Sequence, residues 1–128
     1  VKTFVVQPFD QKVGVTTNWE EFLKHDQDYA LVLHKKKLID DEHDPVEEKD
    51  LVHCLGMTGY WKYQPRDEIK FLIYIKNKKD TSLIFHESLH AAHYVMEHCA
   101  QPIDMDSTEV QAYLMEFIAS NVMRLLGK

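Results

Sequence analysis

IKFLIYIKNKKDTSLIFHESLHAAHYVMEHC, residues 69–99, decides the fold. Its first seven residues, Ile69 to Ile75, are β-branched, aromatic or leucine apart from Lys70, and so short an apolar run fits a buried strand. Lys76 to Lys79 then supply a polar turn, and Asp80 or Thr81 can cap a helix that runs to about Cys99 and stops before Pro102. Downstream, a second long helix is expected from about Ser107 to Leu126, with Gly127 in the C-terminal capping position.

Upstream the pattern turns to short elements. Lys2 to Gln7 (KTFVVQ) is a β-rich run closed by Pro8. Asn18 and Glu21 have capping-box spacing, and Trp19 to Lys24 give one or two helical turns. Tyr29 to His34 (YALVLH) is a mostly continuous apolar run, expected to form a buried strand. Leu51 to Tyr63 is interrupted by Gly56 and Gly59, so it reads as an irregular strand at a sheet edge. The sum is an α+β fold over 1–128, one domain with a short mixed sheet in the N-terminal half packed on two long C-terminal helices.

At 128 residues, 45% hydrophobic and 11% aromatic, the chain can bury a real core, which excludes disordered and fibrous classes. Its net charge of −6 sits in one place, residues 40–50 (DDEHDPVEEKD), and the rest is neutral. That balance gives no support for nucleic acid or anionic lipid as a partner. The acidic stretch reads as a solvated, mobile loop without calcium-loop spacing. Cys54 and Cys99 form no CxxC pair, and are expected to be free, buried thiols in a reducing compartment. No apolar run approaches the roughly 18 residues of a membrane span, so a cytoplasmic protein is expected.

The chemistry concentrates in His86-Glu87-Ser88-Leu89-His90, an HExxH sequence on the first long helix. Helical geometry puts the two histidines about 6 Å apart along the axis and about 40° apart around it, so both imidazoles can reach one ion. Zinc accepts such a nitrogen pair at about 2.0 to 2.1 Å. Glu87, rotated by about 100°, falls beside the ion, where a general base for water belongs. Phe85, Leu89, Ala92, Met96 and Cys99 form a separate apolar stripe expected to face the core. A third ligand is needed, and Glu109, His93, Asp104 and Asp106 are the candidates.

HESLH followed by DSTEVQAYLMEFI resembles the zincin metallopeptidases, in particular the gluzincin arrangement. The likeness spans Ile69 to about Val122, with eighteen residues between His90 and Glu109, and it is also similar to very small predicted peptidases of phages and bacteria. It implies a zinc ion held by His86, His90 and Glu109, with Glu87 as the catalytic base, acting on a peptide or protein substrate. A peptide would lie along the glycine-containing edge strand.

Several of these residues also have plainer readings. Glu109 follows Asp106 at capping-box spacing. His93 and Glu97 continue the histidine face, while Tyr113 and His98 could donate to a developing oxyanion. Trp19, Trp61, Tyr60 and Phe71 read as core or groove-lining aromatics, with core the default, and Met96, Met105, Met115 and Met123 as core filling. The alternative function is a non-catalytic module whose zinc is structural or absent.

Overall fold

In a computed structural model, which describes residues 1–127, four strands and four α-helices follow one another along the chain. Strands β1 (Lys2–Val6) and β2 (Gln11–Thr16) precede helices α1 (Trp19–Lys36) and α2 (Glu48–His53). Strands β3 (Gly56–Tyr60) and β4 (Phe71–Ile75) then lead into the helical hairpin of α3 (Thr81–His98) and α4 (Thr108–Leu125), joined through a 3-10 turn at Met105–Ser107. The sheet order is β1-β2-β4-β3, parallel between β2 and β4 and antiparallel elsewhere. This is the α+β fold read from the sequence, with a mixed sheet and two long C-terminal helices packed on it.

Strand β4 is buried at every position because both faces of the sheet are covered. Phe71, Ile73 and Ile75 pack with Ile84, Val95, Leu114 and Ile118 of the C-terminal helices. Leu72 and Tyr74 point the other way, into a second cluster with Phe22, Tyr29, Leu51 and Trp61. The alternation follows from the two-residue period of a strand. Gly59 is required by its neighbour, since a Cβ there would fall 2.2 Å from the Trp61 ring.

Several details depart from the sequence reading. Tyr29 to His34 is not a strand but the second half of α1, which runs unbroken to Lys36. Its buried positions, Phe22, Asp26 and Tyr29, have helical spacing, and the polar Asp26 in that stripe conceals the period. Strand β2 was not expected, its four buried positions resting on a short KVGVT run. The segment Leu51 to Tyr63 begins as the last turn of α2, and only Gly56–Tyr60 is strand, at the expected sheet edge.

The acidic segment is docked rather than freely solvated. Asp26, 3% exposed, accepts hydrogen bonds from His43 Nε2 at 2.6 Å, the Val46 amide at 2.9 Å and the Trp61 indole at 2.9 Å. Tyr29 donates to Asp40 at 2.6 Å. The charges stay outside while these few groups anchor the backbone. Met105, expected in the core, is 86% exposed, whereas Met96 is buried and Met115 and Met123 pack at the core's margin. Among the described residues no helix is long and apolar enough to cross a membrane. Cys54 and Cys99 are free and half-buried, and burial pushes both thiols up.

Candidate metal centre on the HExxH helix

Asp80 opens α3 as its N-cap, its Oδ1 accepting from the Leu83 amide at 3.1 Å. The helix then turns a different face inward from the one its apolar residues suggest. Ile84, Glu87, Ser88, Ala91, Ala92, Val95 and Met96 are buried, while Phe85 and Leu89 are 39% and 41% exposed. Glu87 therefore sits within the buried stripe at 5% exposure, and His86 and His90 stand at its solvent border.

A buried carboxylate needs partners. Thr58, on the edge strand β3, supplies one, its Oγ1 lying 2.8 Å from Glu87 Oε1 and 3.1 Å from the Glu87 carbonyl. Glu87 Oε2 is left facing His86, 3.8 Å from its Nε2. No motif marks Thr58 in the sequence; only its place between Gly56 and Gly59 on a strand that faces α3 reveals it.

His86 Nε2 and His90 Nε2 are 3.2 Å apart. Two nitrogens each about 2.05 Å from a tetrahedral zinc would be separated by about 3.3 Å, so the pair already spans the chord the ion imposes. The same distance suits a direct hydrogen bond between the rings, which is how the pair can rest without an ion.

Glu109 stays apart from this pair. Thr58 meets Glu87 and Tyr60 meets His98, so β3 and α3 run the same way. Lys2 Nζ reaches the Leu125 carbonyl and Tyr113 donates to the Gln7 carbonyl, so α4 runs against β1. With β1 and β3 in one direction across the sheet, α3 and α4 are antiparallel. His93 pairs with Gln111 at 3.2 Å and sets the register. From that level Glu109 lies about 7.5 Å further along the axis than His90 and about 13.5 Å further than His86, and about 160° around α4 from Gln111. It is exposed.

Among the described residues no three His, Cys, Asp or Glu side chains converge as a ready metal cage. The donor pair fits zinc, and its third protein ligand is not in place. Nor does Glu109 act as a cap with Asp106. Asp104 and Ser107 form the capping box instead, Asp104 Oδ1 accepting from the Asp106 amide and Ser107 Oγ accepting from the Asp104 amide.

The remaining candidates are engaged elsewhere. His93 is held by Gln111, which also binds the Asp104 carbonyl and Ser107. His98 Nδ1 is 2.7 Å from the Tyr60 hydroxyl, and burial, then the Lys70 charge, holds the imidazole below its ordinary range. Tyr113 is tied to the end of β1. Trp61 and Phe71 are core aromatics, as expected. No known protein family, curated protein or solved structure matches the chain.

Proposed function

We propose that the chain is a zinc-dependent hydrolase, most simply a metallopeptidase of the zincin kind, working in a cytoplasmic setting. The observation that carries this is the joint placement of His86 and His90 at the zinc chord with Glu87 beside them, fixed by a strand hydroxyl. His86 and His90 would hold the ion through Nε2. Zinc, when bound, supplies Lewis acidity that polarises a carbonyl and acidifies water.

The chain's own residues provide the rest. Thr58 fixes Glu87 Oε1, so the other oxygen, Oε2, is the one free to take a proton from attacking water and return it to the leaving amine. Burial of Glu87 keeps bulk water from competing for that oxygen. The edge strand beside α3 offers a track for an extended peptide. Trp61 donates its amide to Lys70 and Leu55 accepts from Lys76, which sets the ladder parity. The N–H and C=O groups of Gly56, Thr58 and Tyr60 therefore point outward.

Purified protein loaded with zinc should cleave an unstructured protein such as casein, and Glu87→Gln should abolish cleavage while keeping the fold. Cleavage by the variant at the parent rate would contradict the proposal. The separation of Glu109 from the histidines favours a second reading, a zinc-binding module without turnover. It predicts bound zinc with no hydrolysis of any peptide by the parent chain.

A further inference from the structure

The outward edge of β3 forms the floor of a cavity of about 350 Å³. One wall is α3, through Tyr94 and Glu97, and the other is the docked acidic segment. Carboxylates of Asp40, Glu42, Asp44, Asp50 and Glu97 line it, against one cation, Lys62, which faces Glu42 at 3.9 Å. Among the described residues no hydrogen bond or ion pair engages the side chains of Asp44, Asp50 or Glu97. Burial, then the charges of Glu97, Asp40 and Glu42, pushes the Tyr60 hydroxyl up, so the negative field reaches the strand itself.

Two independent features thus coincide. The outward-pointing backbone groups of Thr58 and Tyr60 call for an extended segment, and the cavity they floor calls for positive charge. A second copy of this chain would bring an equally acidic groove and be repelled. We propose that the groove binds a basic peptide as an added strand, with a Lys or Arg side chain seated among the carboxylates and beside the Tyr60 and Tyr94 rings. Of the proposed function, this borrows only the track along β3. A more open hollow lined by Gly56, His86 and Glu87 lies at the other end of the same strand. The basic side chain thus falls within about four residues, roughly 13 Å, of the histidine pair.

The test uses the 128-residue chain carrying Glu87→Gln, so that binding is read without turnover. Fluorescence anisotropy is measured with a short labelled peptide alternating lysine and threonine, and with versions carrying glutamine or glutamate in place of lysine. The lysine peptide should bind about tenfold tighter than the glutamine one, and the glutamate peptide not at all. Asp44→Asn, Asp50→Asn and Glu97→Gln together should erase the preference. The same charge change at exposed Glu20, Asp67 and Glu116 should leave it within about twofold. Equal binding of all three peptides, or equal effects of the two triple variants, would overturn the inference. So would undiminished binding of a backbone-methylated lysine peptide, or a dimer formed through β3. Binding without cleavage by the zinc-loaded parent leaves this inference standing and contradicts the hydrolase; cleavage without charge preference does the reverse.

Discussion

Thr58 Oγ1 and Glu87 Oε1, 2.8 Å apart, join the edge strand to the HExxH helix at the one carboxylate buried beside the histidine pair. Thr58→Val keeps the shape of the side chain and removes the donor. It should cost about 1 to 3 kcal/mol in denaturant unfolding, because Glu87 is left without its strand partner. Thr58→Ser should restore most of that stability. Loss in Thr58→Ser with Thr58→Val close to the parent would assign the effect to packing of the methyl group instead.

Glu87→Gln separates proton transfer from structure. The amide oxygen can still accept from Thr58, so the melting temperature and zinc content should stay close to the parent's while casein hydrolysis disappears. A paired rise in zinc affinity and loss of fold would contradict the geometry described.

The acidic segment supports the fold through Asp26. Asp26→Ala strands the Trp61 indole and Val46 amide as unmet donors, and should destabilise by about 2 kcal/mol or more. Amide hydrogen exchange over residues 43–46 should accelerate in that variant. Protection unchanged from the parent would mean that Asp26 does not hold the segment.

Mild acid should weaken the protein. Burial depresses His25, and burial followed by the Lys70 charge depresses His98, so both stay neutral when folded at pH values where the unfolded chain already takes up protons. The unfolded state then binds more protons, and stability falls as pH drops below the ordinary histidine value of about 6.5. Urea unfolding from pH 7.5 to 5 should show this decline, and His25→Gln with His98→Gln should flatten it. An unchanged slope in the double variant would point to other groups.

The parts of the fold legible in the sequence were those where local pattern and burial agree. Phe71 to Ile75, within the run Ile69 to Ile75, reads as a strand because it is buried on both faces, and Asp80 opens α3 by an ordinary cap. Tyr29 to His34 misleads because Ala30 and Leu31 face solvent on a helix, so apolar character there does not mean burial. The acidic segment misleads in the opposite sense, since its docking depends on Asp26 and Trp61, far away in sequence. At the site, the spacing of His86 and His90 is a property of one helix and is legible. Thr58 and the level of Glu109 depend on how α3 meets β3 and α4, which no local pattern encodes.

The central claim is that His86 and His90 hold a zinc ion, and zinc affinity by chelator competition tests it most directly. The parent should bind about one zinc per chain, and His86→Ala and His90→Ala should each lose it. Glu109→Ala, altering an exposed residue in the first turn of α4, should change affinity by no more than about twofold. A parent chain that takes up no zinc at micromolar concentration, or histidine variants that bind it as tightly as the parent, would contradict the account.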